Sequence, residues 1–391
     1  MPPSSDDNPE IRVETLIVGA GPAGLATAAC LDARGLPFVV IEKTAQIAPR
    51  WQQHYRRLHL HTPRGQSQLP RVGFAKGTPT YPSRAEVVDY FESYAQQFAG
   101  EVQFNTNLEQ LAPTETGWRV KTNRGTYQAR QVVICTGYNR IPQRPDFAPE
   151  DHAGLIHTAS YRTAEDLPGP RNLVIGFGNS GAEIALDLME SGRQVEVAIR
   201  GPVNVVPRDL YGLPLARITR LTRFLPRTAQ EKLTGRTLKR LYADLPDYGI
   251  QPLPYSAICQ IQEHQRVPMI DVGTVAAIRD GRIKVRPGVT GLDGTTAHFS
   301  DGSQGDYEGV LLATGYRPRL ASLLPGLEAE LNAAGAPKRS GAELRPGLYF
   351  CGFLISTRGM LFEIGVEAEA IAAAIAQAGA TPAAAATAAP A

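Results

Sequence analysis

Two glycine-rich hexapeptides carry the residue types and spacing that could do chemistry in this chain: Gly19-Ala20-Gly21-Pro22-Ala23-Gly24 and Gly176-Phe177-Gly178-Asn179-Ser180-Gly181. Each directly follows an apolar run, Leu16-Ile17-Val18 or Leu173-Val174-Ile175, so each reads as a strand turning into a helix. In such a turn the first glycine permits a tight bend and the second lets the backbone approach a pyrophosphate. The third lets the helix pack close on the strand, and the helix N-terminus supplies N–H donors and partial positive charge. One such turn is a weak signal. Two of them argue for two dinucleotides and a redox reaction between them.

The strand after each turn separates the two nucleotides. Phe38-Val39-Val40-Ile41 runs into Glu42 and Lys43, and Glu42 lies 18 residues past Gly24. A carboxylate at that position accepts hydrogen bonds from an unphosphorylated ribose, as in FAD. Val195-Glu196-Val197-Ala198-Ile199 ends on Arg200, 19 residues past Gly181. A guanidinium there can hold a ribose 2′-phosphate through paired charge-assisted bonds, which a carboxylate would repel. The first turn therefore reads as the FAD site and the second as the NADPH site. A solvated arginine at a strand end is the competing reading of Arg200.

The elements that must position these turns follow from hydrophobic pattern. A helix is expected from Ala23 to Arg34 and another from Phe362 to Ala376, the latter with Glu363, Glu367 and Glu369 in its early turns. Ser83 and Glu86 have capping-box spacing ahead of Val87, Phe91, Tyr94 and Phe98, which recur at helical intervals and read as core. Val132-Val133-Ile134-Cys135-Thr136-Gly137 and Val310-Leu311-Leu312-Ala313-Thr314-Gly315 are near repeats, each followed by a tyrosine. As strand ends beside ligand crevices, Thr136, Gly137, Thr314 and Gly315 become candidate cofactor contacts.

The simplest topology inserts one nucleotide domain into the other, with these repeats as the connections. The expectation is an α/β chain with two Rossmann-type dinucleotide-binding domains. The FAD domain takes residues 10–164 and 310–376, and the NADPH domain takes 165–309 with a helical insert at 208–245. Residues 377–391, ending in alanine, proline and threonine only, read as a disordered tail.

Composition narrows the function further. The 391 residues have 43% hydrophobic content and a formal charge of +2, enough core for two domains and no reason to expect a polyanionic partner. Cys30, Cys135, Cys259 and Cys351 include no C-x-x-C pair and no metal-ligand spacing with histidine. No redox disulfide of the simplest kind and no metal are expected, and the usage suits a reducing, cytoplasmic compartment. No apolar run is long enough to cross a bilayer, and no secretory signal is evident. A monomer or homodimer acting on a small molecule, without nucleic acid or membrane, is the partner expectation. Between Arg208 and Arg240 the chain is basic, with Arg217, Arg220, Arg223, Arg227, Lys232, Arg236, Lys239 and Arg240 opposed only by Asp209 and Glu231. Aromatic interleaving is too sparse for nucleic acid, leaving a solvated insert or a lid over an anionic ligand.

From Thr15 to about Ala374 the sequence resembles the class B flavin-dependent monooxygenases, especially the YUCCA-type flavin-containing monooxygenases. The likeness runs through the ordered series Leu58-His59-Leu60-His61-Thr62-Pro63, Pro79-Thr80-Tyr81-Pro82-Ser83, Gly178-Asn179-Ser180-Gly181-Ala182-Glu183, Val206-Pro207-Arg208-Asp209, Met269-Ile270-Asp271-Val272-Gly273-Thr274, Ala313-Thr314-Gly315-Tyr316-Arg317 and Gly347-Leu348-Tyr349-Phe350-Cys351-Gly352. The resemblance implies that NADPH reduces FAD, that O2 adds to the reduced flavin as a C4a-(hydro)peroxyflavin, and that one oxygen atom reaches a small substrate. It places Trp51 beside the isoalloxazine, with His59, Thr62 and Gly352 among the cofactor contacts. It gives His61 and Asn179 catalytic positions at the flavin edge; for Asn179, helix N-capping is the competing role. Where N- and S-oxygenating members carry an asparagine, this chain has His61. Tyr161-Arg162 replaces the Trp-Pro or Trp-Asp of Baeyer–Villiger members, and Gly154-Leu155-Ile156-His157 is one residue short of the class fingerprint. These departures lean toward oxidation of an α-keto acid or another activated carbonyl. N- or S-oxygenation, and flavin reduction without a redox disulfide, are the alternatives.

Overall fold

Residues 10–149, 154–222 and 224–380 are described by the computed structural model of the protein. Two sheets, one per glycine turn, organise the chain: the first has a parallel centre with antiparallel additions and the second is all parallel. The first sheet runs in the order Glu343–Arg345, Leu348–Phe350, Gly125–Ile134, Ile11–Val18, Phe38–Ile41 and Val102–Gln103, with the hairpin Leu108–Thr114/Gly117–Thr122 attached to Gly125–Ile134. Alternation along its strands explains its two covers. Ile17, Val40, Val133 and Tyr349 point into a core shared with the helices Pro22–Asp32, Arg84–Ala95 and Met360–Ala380. Leu16, Val18, Ile41, Val132, Ile134 and Phe350 face the other side, against Leu111, Trp118, Val120 and Leu324.

The second sheet is ordered Ile283–Pro287, Gln194–Ile199, Arg171–Ile175, Gly309–Leu312 and Leu155–His157, parallel throughout. Here the expected domain limits shift. Leu155–His157 and Gly309–Leu312, assigned from sequence to the FAD domain up to 164 and to a seam at 309/310, both pair inside the NADPH-side sheet. The exchange between sheets is made instead by Ile141–Pro142 and Tyr316–Arg317, which pair antiparallel as a two-stranded ribbon. His157 is close to that ribbon, its Nε2 3.2 Å from the Gly315 carbonyl and its ring edge-on to Tyr316.

Smaller differences have local causes. The capping box forms: Ser83 Oγ accepts the Glu86 N–H at 3.3 Å while the Glu86 carboxylate accepts the Ser83 N–H at 2.7 Å. Its helix ends at Ala95, and Phe98 is buried from a following 3-10 segment whose backbone kinks at that residue. The C-terminal helix runs to Ala380, so the tail expected from 377 begins no earlier than 381; the remainder lies outside the described residues. In the basic segment the helices Leu215–Leu221 and Arg227–Leu241 follow a short hairpin, Asp209–Leu210/Leu213–Pro214. Arg223 and the side chain of Arg227 lie outside the described residues.

Candidate active site

Both glycine turns are built alike. Gly19 and Gly176 have φ of +109° and +111°, and a Cβ on either would sit 2.7 or 2.5 Å from the carbonyl oxygen of Cys135 or Ala313. Those carbonyls begin the two Thr-Gly turns, so each near repeat closes over its own glycine turn. At Gly24 and Gly181 a Cβ would lie 1.8 and 2.1 Å from the carbonyl oxygen of Gly19 and Gly176. The middle glycines differ: nothing lies within 4 Å of a Cβ on Gly21 or Gly178, and each caps the helix that follows. Both turns thus keep an open face of backbone at a helix N-terminus, the shape a pyrophosphate needs.

The surroundings of the first turn fit FAD. Glu42 is buried and accepts the Ala20 and Thr44 N–H groups, each at 3.0 Å, so it ties the strand end to the turn. Thr136 Oγ1 is buried beside Gly137 without a partner, an orphan that a bound ligand would satisfy. Burial, then the Arg50 guanidinium, push the Lys43 ammonium below its usual pKa, against the pull of Glu42. Arg50 donates to the Arg140 carbonyl at 2.7 Å, and burial lowers the Arg140 guanidinium as well. A bound pyrophosphate would neutralise these cations. Gly352 completes the cradle: it has φ +88°, its N–H donates to Glu367 at 2.5 Å, and its Cβ would meet Ala23 at 2.9 Å. Pro22 opens the helix at its first position, where a missing N–H costs nothing.

Around the second turn, Arg200 is exposed just past Gln194–Ile199, and the Thr314 hydroxyl donates to the Gln143 carbonyl. Asn179 is not the helix cap. Gly178 caps without a side-chain bond, and Asn179 Oδ1 accepts the Ile270 N–H at 2.7 Å, pinning Met269–Asp271 to the start of the helix Asn179–Glu190.

Two cavities lie near the loop Leu58–Pro63, which lines the smaller of them through His59 and His61. One, of about 380 Å³, is lined by Arg57, His59, His61, Glu183, Glu190, Arg208 and Val272. His61 Nε2 is hydrogen-bonded to Glu183 Oε1, and the buried Tyr55 hydroxyl donates to Glu183 Oε2 at 3.2 Å. Burial, then the Glu183 charge, hold the Tyr55 phenol well above its usual pKa. Arg57 forms a bidentate pair with Glu190 at 2.8 and 2.7 Å, and Arg208 lies over the Tyr81 ring at 4.1 Å. His59 is exposed, Nδ1 2.8 Å from the Arg57 carbonyl. Trp51 is half-buried and packs edge-on against His54 and Phe91.

The other cavity, about 520 Å³, joins the apolar side chains of Phe224, Ile261, Leu354 and Ile355 to Gln262, Gln265, Ser356, Thr357, Arg358 and Glu363. It adjoins the same loop, since Thr62 would touch a Cβ on Gly359 at 2.9 Å and bonds Ser67 Oγ at 2.6 Å. The basic segment borders it: Thr219 Oγ1 donates to the Thr357 carbonyl at 3.4 Å, and Gln66 Nε2 to the Ala216 carbonyl at 3.1 Å. Arg220 and Arg358 flank the Phe362 ring at 5.7 and 4.9 Å, and Arg358 forks onto Glu363. Elsewhere Cys259, Glu263 and His264 bring ligand-type atoms within 4.8 Å of one another, a grouping the sequence spacing did not suggest. All four cysteines are buried. Among the described residues no helix is long and apolar enough to cross a membrane.

Sequence reasoning missed Tyr55, Arg50 and Arg140 and gave Glu183 no role. Glu183 stood inside a quoted motif; its charge on the buried face of a helix was the available signal.

Two glycine turns of the shape a dinucleotide needs, each leaving a parallel strand of its own sheet, define a pyridine-nucleotide-dependent flavoprotein. A family model described as pyridine nucleotide-disulphide oxidoreductase matches residues 16–212. The chain is 35% identical over 356 residues to indole-3-pyruvate monooxygenase YUCCA1 of Oryza sativa subsp. japonica, covering 88% of this chain and 87% of that one. It is likewise 35% identical to indole-3-pyruvate monooxygenase YUCCA6 of Arabidopsis thaliana, covering 86% and 85%. In fold it matches a flavin-containing monooxygenase from Stenotrophomonas maltophilia, with TM-score 0.71 at 23% identity over 95% of this chain and 100% of that one. The NADP+-bound cyclohexanone monooxygenase from Rhodococcus sp. Phi1 superposes with TM-score 0.70 at 17% identity, over 95% and 85%. The chain belongs to the flavin-dependent monooxygenases of the YUCCA type, and FAD and NADPH are its cofactors.

Proposed function

We propose that this monooxygenase oxygenates a small aromatic α-keto acid at its carbonyl carbon, with NADPH as reductant and O2 as oxidant. The observation that carries the reading is the larger cavity, where Phe224, Ile261, Leu354 and Ile355 stand beside the Arg358–Glu363 pair. Its size suits a drug-sized ligand, with apolar side chains for a ring and the Arg358 guanidinium for a carboxylate. The relatives named for indole-3-pyruvate support the same substrate class. Bound FAD would supply the oxygen activation. In this assignment Gly19, Gly21, Gly24, Glu42, Lys43, Thr136 and Gly352 hold FAD, while Gly176, Gly178, Ser180, Gly181 and Arg200 hold NADPH. His61 faces the smaller cavity, and Asn179 pins Met269–Asp271 to the start of the helix that carries Glu183.

Each turnover consumes one NADPH, one proton and one O2: one oxygen atom leaves as water, the other joins the carbonyl carbon as its bond to the carboxylate breaks, and the products are NADP+, water, CO2 and the acid one carbon shorter. Purified enzyme incubated with keto acids, amines and sulfides should couple NADPH consumption to product only for the keto acids, and binding should weaken as salt screens the exposed arginines. Tight coupling to an amine, with an N-oxide or hydroxylamine formed, would refute the substrate class and return the enzyme to heteroatom oxygenation.

A further inference from the structure

Glu183 belongs to the helix that starts at the NADPH-side turn, yet its carboxylate ends among groups from the FAD-side segment. One oxygen meets His61 Nε2 and the other meets the Tyr55 hydroxyl at 3.2 Å. The side chain is 3% exposed, while that of His61 is 15% exposed and lines the smaller cavity. A buried carboxylate is retained at high cost unless its oxygens are satisfied, and here both partners come from the stretch 55–61, whose Tyr55 packs into the NADPH-side core. Two turns further along the same helix, Glu190 forks onto Arg57, a second link to the same segment. At the helix start, Asn179 anchors Met269–Asp271, so the helix is fixed at its nucleotide end as well.

We propose that Glu183 is a positioning residue, which orients the His61 imidazole through Nε2 and couples placement of the NADPH-side helix to the smaller cavity that His61 faces. When the latch is intact, His61 keeps one orientation at the smaller cavity and limits the approach of water from that side between flavin reduction and oxygen transfer. When it is broken, reduced flavin is still oxidised by O2, but the oxygen leaves as H2O2: NADPH, one proton and O2 give NADP+ and H2O2, with no organic product. Hydride transfer depends on the two glycine turns and is left in place.

The proposal rests on the reading of His61 as a residue of that cavity, and its test is independent of which compound is oxygenated. Glu183→Gln, Glu183→Asp and His61→Gln are compared with the wild type as FAD-loaded enzymes. Anaerobic flavin reduction by NADPH should stay within about threefold of wild type in Glu183→Gln, while H2O2 released per NADPH rises by about fivefold or more. The Glu183→Gln/His61→Gln double variant should release no more peroxide than the worse single variant, because the two groups act as one unit. Nitrogen-15 spectra of the seven histidines, with His61 assigned by its loss in His61→Gln, should show its ring nitrogens altered in Glu183→Gln. Glu183→Asp keeps the charge but withdraws it by a methylene, and should alter the same signals; it replaces Glu183→Gln if that variant does not accumulate. Unchanged His61 signals, wild-type peroxide yield, or independent additive effects would each overturn the latch. A failed keto-acid panel would leave it standing.

Discussion

At the first turn, Gly21 and Gly24 differ by three residues and in what a side chain would meet, which allows fold and ligand effects to be separated. Gly21 has φ −80° and ψ −176°, extended backbone open to a β-branched residue, and a Cβ there has nothing within 4 Å. Gly21→Val should therefore leave the flavin-free fold intact, with an unfolding free energy within about 0.5 kcal/mol of wild type. The added methyls would instead occupy the face where the pyrophosphate approaches. Losing two charge-assisted N–H contacts of roughly 1.5–3 kcal/mol each removes about 3–6 kcal/mol of binding, or roughly a hundredfold to ten-thousandfold in FAD affinity. Gly24→Ala works the other way. Its Cβ would stand 1.8 Å from the Gly19 carbonyl oxygen, so helix and turn must separate, an overpacking cost of about 1–3 kcal/mol or more in the fold itself. The assay is thermal unfolding of deflavinated protein beside FAD titration followed by flavin fluorescence. A Gly21→Val protein that purifies yellow with stoichiometric FAD, or whose flavin-free form is as unstable as Gly24→Ala, would refute the assignment of this turn.

Arg200→Ala should weaken NADPH by roughly ten- to a hundredfold while leaving NADH little changed, read by anaerobic flavin reduction at varied nucleotide; equal wild-type affinity for the two would remove the phosphate role. Ser83→Ala removes the capping box and should cost about 1 kcal/mol of stability by chemical denaturation, with FAD content unchanged. His157 is pushed down to about 4, first by burial and then, against the Gly315 carbonyl, by the nearby Arg50 and Arg144 guanidiniums. Its native state binds fewer protons than the unfolded chain between about pH 4 and 6.5, so it favours the fold above that window and its contribution is lost as the pH falls through it. His157→Gln should flatten the acid limb of the stability–pH curve over those values; an unchanged limb would show that other groups, such as His54 (also pushed down to about 4), dominate it.

Local signals in the sequence sufficed for much of the site. Gly19, Gly21 and Gly24 must serve a bend, an approach and a close packing within one short segment, and the folded turn uses each in that way. Glu42 was legible as a strand-end acid, although its bonds to Ala20 and Thr44 were not. The cation cluster of Lys43, Arg50 and Arg140 was not legible, because Arg140 reaches it from across the sheet, 90 residues away. The partner of Asn179 was not legible either. An asparagine at a helix start suggests a cap, whereas the approach of Ile270, a distant strand residue, gave its amide another partner.

The sequence by itself determined that there are two nucleotide turns, that an acid follows one and an arginine the other, and that paired Rossmann-type sheets hold them. Those features are set within some two dozen residues of chain, where steric and hydrogen-bond requirements act on neighbours. Tertiary structure alone decided which sheet Gly309–Leu312 joins. Val132–Ile134 and Val310–Leu312 have the same apolar pattern and the same Thr-Gly ending, so periodicity cannot separate them; pairing with Arg171–Ile175 on one side and Leu155–His157 on the other does. It also decided that Glu183 meets His61. That contact joins residues 122 apart across the interface of two domains, and no spacing rule along the chain encodes how two separately packed cores face each other.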